Sequence, residues 1–315
     1  MRVCASEDID VEKVLIVGVA RGQGRLLARR LSRDQRVIGV DSEDWDRRPA
    51  GAPFYKLDLR TRAFEEVMRK EQPDAVVHLG FVRHFRGPDT ARFDVNVRGT
   101  RKLLDHCRTY GVKKLVVMST SYVYGALPEN PSFMAEDHPL LAGRNYPEIR
   151  DLVEVDALTT SFMWQYPDIR TSILRPVPTL GYYSDNSIVN YLRQKRVVVM
   201  MGFNPMLQFM HEEDLVEATA LALERGLRGV YNVTGPGEVP LRVAIEETGG
   251  RALPLPEPIA RPLLGRLFRL GLARIPPSSI DYIKYPCTIA GERFVRETGF
   301  RPLFGLKESF RSLKR

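Results

Sequence analysis

Short apolar runs alternate with longer segments of helical periodicity through the first half of the chain. Two of the longer segments, Gly22–Arg33 and Thr90–Tyr110, predict α-helices. Apolar runs between them are nearly continuous, as is typical of parallel strands buried on both faces. The alternation predicts an α/β protein with a doubly wound parallel sheet. The predicted strands are Lys13–Val17, Arg36–Val40, Ala75–Leu79, Lys114–Met118 and Thr171–Leu174.

From Gly181 onward the pattern changes, and proline and glycine punctuate shorter elements. We expect a sheet-forming domain over residues 11–180 and a smaller, mainly substrate-binding lobe over residues 181–315. A helix and a strand at about 212–235 are expected to return to the first domain. Open α/β sheets bind ligands at the carboxyl ends of their strands, so the C-terminal lobe is expected to cover that edge.

A glycine-rich loop joins the first predicted strand to the first predicted helix. Its glycines, Gly18, Gly22 and Gly24, have the spacing G-x-x-x-G-x-G, with Arg21 and Gln23 between them. Glycine permits a tight turn and the close approach of a pyrophosphate, and the helix N-terminus offers N–H groups to phosphates. This context predicts a Rossmann-type domain that binds a dinucleotide.

Side chains at the ends of the next strands refine the choice of dinucleotide. The carboxylate of Asp41 can accept hydrogen bonds from an adenosine ribose and would repel a 2′-phosphate; alternatively, it only forms a turn. Asp58 and Leu59 follow a third short strand, where they would meet the adenine. Arg21 favours the opposite choice, because a guanidinium can bind a 2′-phosphate. The prediction is NAD as the cofactor, with NADP as the alternative.

Composition and charge exclude several other classes of protein. Hydrophobic residues at 43% and charged residues at 27% are ordinary globular values, and no apolar run approaches the roughly 20 residues of a membrane span. Three widely separated cysteines predict reduced thiols in a cytoplasmic protein and have no metal-ligand spacing. The net charge of +8 comes from scattered arginines without a nucleic-acid-binding module, so no nucleic acid partner is expected. The basic amphipathic stretch Ile259–Ile275 predicts a lid over the pocket, with contact to a membrane surface as the less favoured alternative.

Further motifs follow one another in a fixed order along the chain. Together with the glycine loop and Asp41, they make the chain similar to the extended short-chain dehydrogenase/reductase family, which includes NAD-dependent epimerases and dehydratases. The resemblance implies that Leu79, Gly80 and Asn96 lie beside the cofactor and that the protein is a homodimer. The motifs are Val76-Val77-His78-Leu79-Gly80, Asn96-Val97-Arg98-Gly99-Thr100, Ser119-Thr120-Ser121-Tyr122-Val123-Tyr124-Gly125, Leu174-Arg175-Pro176 and Phe209-Met210-His211-Glu212-Glu213-Asp214.

In that family a serine or threonine, a tyrosine and a lysine carry the chemistry. The resemblance assigns the hydroxyl to Thr120, with Ser121 as its near rival, and the acid/base to Tyr146. The lysine position holds Arg150, which supplies a positive charge and can reach ribose hydroxyls but cannot relay a proton. Because residues before proline avoid helical angles, Pro147 predicts that Tyr146 lies at a helix N-cap. This makes the facing of Tyr146 and Arg150 on one helix less certain.

The substrate class stays open between a sugar nucleotide and a less polar molecule. Pro178 stands where sugar-nucleotide epimerases of the family usually carry an asparagine that helps to hold the diphosphate, and proline has no side-chain amide. Arg83 and His84 are expected at the substrate entrance. The resemblance implies an NAD(P)-dependent oxidoreductase or epimerase/dehydratase acting at a hydroxyl or keto carbon. The alternative is a catalytically silent NAD(P)-binding regulatory or scaffold protein.

Overall fold

A computed structural model describes residues 11–82, 89–271 and 276–314 of the chain. The strands are β1 (Lys13–Val17), β2 (Arg36–Asp41), β3 (Phe54–Lys56), β4 (Ala75–His78), β5 (Lys114–Met118), β6 (Arg170–Pro176), β7 (Thr179–Leu180), β8 (Arg196–Met200), β9 (Met206–Gln208), β10 (Met210–His211), β11 (Gly229–Val233), β12 (Glu238–Pro240) and β13 (Arg251–Leu255). The α-helices are α1 (Gly22–Leu31), α2 (Arg62–Glu71), α3 (Asp89–Phe93), α4 (Gly99–Thr109), α5 (Ala142–Asn145), α6 (Arg150–Gln165), α7 (Ser187–Leu192), α8 (Glu212–Glu224), α9 (Leu241–Glu247), α10 (Glu257–Arg269), α11 (Glu292–Thr298) and α12 (Leu306–Arg311).

Seven strands form one parallel sheet in the order β11-β6-β5-β4-β1-β2-β3. In its register, Val14 lies between Val37 of β2 and Ala75 of β4. The chain fills the sheet outward in both directions from β1, so the topological switch point lies between β1 and β4. The loops that follow these two strands therefore meet at one edge. The predicted doubly wound parallel sheet is confirmed.

Helices cover the large sheet on both faces. Val14 and Ile16 face the core that contains α1 and α8, whereas Leu15 and Val17 face the core that contains α2, α4 and α6. None of these four strand residues is more than 3% exposed. Burial on both faces is the physical reason for the continuous apolar runs in the sequence. Helix α8 and strand β11 belong to this unit, because β11 pairs in parallel with β6.

The predicted helix over Thr90–Tyr110 is interrupted. Residues Asp94–Arg98 form a π-helical turn between α3 and α4. Such turns are frequent at functional sites because they displace one backbone position from the regular helix. Here the turn contains Asn96, one of the residues expected beside the cofactor.

A smaller unit lies in the second half of the chain and has its own apolar core, which includes Leu192, Val199, Ile245 and Phe310. In this unit β8 pairs in parallel with β13, and β9 pairs in antiparallel with β12. The basic amphipathic stretch forms α10 in its described part. Among the described helices, none is long and apolar enough to cross a membrane.

Candidate active site

Backbone contacts bring the glycine loop against the loop that follows β4. A Cβ on Gly18, whose φ is +85°, would lie 2.6 Å from the Cα of Gly80. A Cβ on Gly24 would lie 2.0 Å from the carbonyl oxygen of Gly18. These glycines therefore allow an approach that other residues would block. The N-cap of α1 is Arg21, which makes no side-chain capping bond, and the first turn holds no acidic residue. The helix start can therefore offer its N–H groups and dipole to a phosphate.

Asp41 joins the end of β2 to the glycine loop. Its Oδ2 accepts a hydrogen bond from the Ala20 N–H at 2.9 Å, and its Oδ1 accepts one from the Glu43 N–H at 3.1 Å. Asp41 thus forms the turn foreseen in the alternative interpretation. A carboxylate offers about four acceptor positions, so lone pairs remain for ribose hydroxyls. The Arg21 side chain is 80% exposed and pairs with Glu43.

Asp58 lies farther along the same edge of the sheet, with Leu59 beside it. Arg60 donates from Nε to the Asp58 carboxylate at 3.0 Å, and this hydrogen bond holds the pKa of Asp58 below its usual value. Arg60 also pairs with Asp94 of the π-helical turn. Asp58 is therefore a fixed, ionised acceptor, which suits the amino group of an adenine.

An open cavity leads from the glycine loop to the ends of β5 and β6. It encloses about 760 Å³, including space open to solvent. The cavity brings together Gln23 and Thr120 of the predicted site with Pro178. In addition, the Gln23 side-chain amide donates to the Thr179 hydroxyl at 3.1 Å. The remaining lining residues include Val82, Arg92, Tyr122, Glu148, Ile149, Asp151, Leu152, Pro176, Val177, Thr179, Asn186, Ser187 and Leu215.

The two candidate hydroxyls after β5 have different surroundings. Thr120 caps the 3₁₀ turn Ser121–Tyr124, its hydroxyl accepts the Tyr122 N–H at 3.3 Å, and it lines the cavity. Ser121 is 1% exposed and does not line the cavity, and within the described chain its hydroxyl has no partner. The geometry therefore brings Thr120 to the cavity rather than Ser121.

Tyr146 and Arg150 are not on one helix. Tyr146 lies between α5 and the 3₁₀ turn Pro147–Ile149, as the N-cap residue that its following proline predicts. Its hydroxyl donates to the Ala126 carbonyl at 2.7 Å, and burial together with the nearby Asp281 raises the pKa of Tyr146 well above its ordinary value. Arg150 is exposed and donates from Nε to the Gly143 carbonyl. The side chains of Tyr146 and Arg150 therefore bond to different backbone carbonyls and not to each other.

Two cavity-lining residues that the sequence interpretation missed, Arg92 and Asp151, form a buried polar cluster with the predicted Asn96. Asp151 is 2% exposed, and its Oδ2 accepts hydrogen bonds from Arg92 Nε at 3.0 Å and from Asn96 Nδ2 at 2.6 Å. Asn96 also exchanges two hydrogen bonds with the backbone of Val82, which follows β4. In sequence, an aspartate in the first turn of a helix is indistinguishable from one that only complements the helix dipole.

Other motif residues form a buried network behind the cavity. Arg175 binds both oxygens of Asp156, at 2.9 and 2.7 Å, and Ser119 donates to the same carboxylate at 2.6 Å. Arg175 also donates to the hydroxyl of Tyr124, whose pKa burial raises to about 12. These contacts join β5, α6 and β6, and so explain the Leu-Arg-Pro motif as a support for the site rather than as a substrate contact.

A second cavity adjoins the first and shares Tyr122, Glu148, Ile149 and Ser187 with it. Its described lining is mostly aromatic and apolar and contains no lysine or arginine. The other lining residues are Tyr146, Ile188, Tyr191, Pro276, Ser278, Ser279, Tyr282 and Ile283. The predicted entrance residues Arg83 and His84 lie outside the described residues.

Comparisons with known proteins agree with this architecture. The sequence model of the NAD dependent epimerase/dehydratase family matches residues 14–234. An uncharacterized protein of Mycobacterium tuberculosis is 30% identical over 253 residues, which cover 77% of this chain and 67% of the relative. UDP-glucose 4-epimerase 2 of Oryza sativa is 28% identical over 243 residues, 64% of this chain and 57% of that protein. The fold matches UDP-glucose 4-epimerase of Thermus thermophilus, solved with NAD, with a TM-score of 0.75 at 22% identity, over 96% of this chain and 98% of that one.

Proposed function

Because this chain belongs to the NAD dependent epimerase/dehydratase family, we propose that it transfers hydride at a hydroxyl or keto carbon of a small-molecule substrate. The observation that carries the proposal is the cavity that begins at Gln23 of the glycine loop and reaches Thr120 after β5. A ligand held by the loop would extend to a hydroxyl group at the end of a central strand. Membership in a family of NAD-dependent enzymes does not favour the alternative of a catalytically silent NAD(P)-binding regulatory or scaffold protein.

The residues at the glycine loop fit NAD as the cofactor. The close approach at Gly18 and Gly24, the uncapped start of α1 and the free lone pairs of Asp41 would receive a pyrophosphate and an adenosine ribose. The carboxylates of Asp41 and Glu43 would repel a 2′-phosphate, and Glu43 already engages Arg21. This supports NAD over NADP. When bound, the cofactor supplies a nicotinamide ring that accepts or returns the hydride.

For the accompanying proton we propose Thr120 as the group that orients the substrate oxygen and Tyr146 as the acid/base, with Arg150 as a cationic helper. The Tyr146 hydroxyl would have to exchange the Ala126 carbonyl for the substrate oxygen. Its raised pKa means that a positive charge in the occupied site is needed to stabilise the phenolate. The predictions of a homodimer and of a cytoplasmic location stay predictions.

For the substrate we propose a less polar alcohol or ketone. The tyrosines of the second cavity and the absence of a cation among its described lining residues support this class, as does Pro178. A nucleoside diphosphate would bring two negative charges, whose burial without cations is costly. The sugar-nucleotide alternative is supported by relatives such as the rice UDP-glucose 4-epimerase.

The test is a screen at the NADH absorbance band with NAD or NADH present, in which UDP-glucose and dTDP-glucose are compared with aromatic and aliphatic alcohols and ketones. Epimerisation of the sugar nucleotides, which leaves no net NADH, is followed by product analysis. We expect Thr120→Val and Tyr146→Phe to lower turnover about 100-fold while NAD binding is kept, because positioned acid–base groups contribute 10²–10⁴-fold.

Tyr110→Phe is the matched control, since this tyrosine hydroxyl donates to Glu65 on the surface, away from the cavity. Equal turnover of Tyr146→Phe, Tyr110→Phe and the unaltered protein would refute the acid/base role of Tyr146. Conversion of sugar nucleotides alone would refute the less polar substrate class.

A further inference from the structure

Asp151 has an unusual hydrogen-bond arrangement for a buried carboxylate. Its Oδ2 accepts two hydrogen bonds, whereas its Oδ1 is buried and has no hydrogen-bond partner in the described structure. Buried polar atoms are almost always hydrogen-bonded, and a native exception requires an explanation. Asp151 also lines the cavity of the proposed active site. The missing donor is therefore expected from a ligand in that cavity.

The position of Asp151 is held by the surrounding structure rather than by the ligand. Asn96 Nδ2 donates to Asp151 Oδ2 and to the Val82 carbonyl, while Asn96 Oδ1 accepts the Val82 N–H. Arg92, itself 7% exposed, donates to the same carboxylate oxygen. A preorganised acceptor loses little freedom when it binds a donor, so such an oxygen is well suited to recognition.

The charge of the cluster favours a neutral donor. Arg92 already compensates the negative charge of Asp151 at 3.0 Å, so a cationic ligand is not required. A carboxylate that accepts from sugar hydroxyls is the same chemistry that Asp41 offers at the other end of the site. Arg150, the neighbouring residue expected to reach ribose hydroxyls, donates instead to the Gly143 carbonyl.

Building on the proposed function, we propose that Asp151 binds a hydroxyl of the nicotinamide-side ribose through its Oδ1. Binding of three ligands distinguishes this role from a purely structural role of Asp151 and from a contact to the substrate. ADP lacks the second ribose, ADP-ribose contains it without the nicotinamide, and NAD contains both. Dissociation constants for all three are measured by calorimetry with the unaltered protein, Asp151→Asn and Asp151→Glu. The Glu variant keeps a negative charge beside Arg92, so it controls for loss of folding caused by removing the charge of Asp151.

Asp151→Asn is expected to weaken NAD and ADP-ribose about tenfold, the loss typical of one charge-assisted hydrogen bond, and to leave ADP unchanged. Asp151→Glu is expected to show the same selectivity, because its oxygens are displaced by one methylene. Glu65→Gln is the matched control: it removes the charge of an exposed carboxylate that accepts a hydrogen bond from Tyr110 on the surface, away from the cavity, and should leave the dissociation constants of all three ligands within twofold.

Equal weakening of all three ligands, or of none, would overturn the assignment and leave Asp151 as a structural partner of Arg92. Unchanged cofactor affinity with a tenfold higher substrate KM would overturn the ribose assignment in favour of a substrate hydroxyl. If the unaltered protein bound none of the three ligands, the proposed function would fail first, and this inference with it.

Discussion

The two ends of the candidate site are built in different ways. At the glycine-loop end, backbone meets backbone: Gly18 touches Gly80, and Gly24 lies under the Gly18 carbonyl. At the other end, side chains from separate elements converge, namely Thr120 after β5, Asp151 on α6 and Asn96 in the π-helical turn. At the glycine-loop end a substitution that adds even one carbon atom would clash with backbone, whereas at the other end one side chain can be substituted by another.

This difference accounts for where the chain departs from its family. The resemblance requires glycines at the loop, and they are present. At the other end, where the resemblance implies a lysine, the chain has Arg150, whose side chain donates to the Gly143 carbonyl, while the adjacent Asp151 lines the cavity. Side chains that line a site can be substituted without loss of the fold. Residues whose backbone atoms are in close contact cannot be substituted in this way, because a new side chain would push the backbone segments apart.

The largest effect is expected for Gly24→Ala. In a helix, alanine is more stable than glycine by up to about 1 kcal/mol. At this position, however, the new Cβ would lie 2.0 Å from the carbonyl oxygen of Gly18. The steric clash outweighs the helix preference, so the glycine loop must move. We expect at least a 100-fold loss of NAD affinity by calorimetry. Gly51→Ala is the control, because φ at Gly51 is +76° with no atom within 4 Å of the new Cβ. It should cost about 1–2 kcal/mol of stability and leave NAD affinity unchanged. Equal NAD affinity in both variants would contradict the contrast between the two ends.

A smaller effect is expected from changing charges at the glycine-loop end while its backbone stays intact. In the double variant Asp41→Asn with Glu43→Gln, two negative charges are lost and Arg21 is released from its partner. The ratio of NADP to NAD affinity should rise about tenfold, since the guanidinium can then bind a 2′-phosphate. Glu43→Gln alone frees Arg21 but keeps Asp41, and should change the ratio much less. An unaltered ratio in the double variant would disprove this account of cofactor choice.

The smallest effect is expected for Arg150→Ala at the side-chain end. The Arg150 side chain is exposed, so solvent screens its charge, and its removal should change stability by less than about 0.5 kcal/mol. Turnover should fall less than tenfold, measured in the same assay that identifies the substrate. Turnover equal to that of the unaltered protein would refute Arg150 as the cationic helper of the proposed mechanism, whereas a 100-fold loss would contradict the contrast between the two ends.

Much of the fold could be predicted because its determinants are local. Continuous apolar runs located the central strands, and the predicted helix Gly22–Arg33 ends only slightly earlier, at Leu31. Pro147 correctly indicated a break at Tyr146, since the restriction before proline acts between neighbouring residues. The π-helical turn at Asp94–Arg98 was missed, because nothing in the local periodicity distinguishes it from a regular helix.

In the candidate site, too, some residues could be predicted from the sequence and others could not. The glycine loop and Asp41 could be predicted from the residues themselves, because they depend on residue type and on position after a strand. The pair of hydroxyl candidates, Thr120 and Ser121, was implied by the family resemblance. Only the tertiary structure brought Thr120 rather than Ser121 to the cavity, engaged Tyr146 with Ala126, and joined Asp151 to Arg92 and Asn96. Asp151 lies 59 and 55 residues from those two partners. Contacts across such separations arise from the packing of whole helices and strands, which no short stretch of sequence encodes by itself.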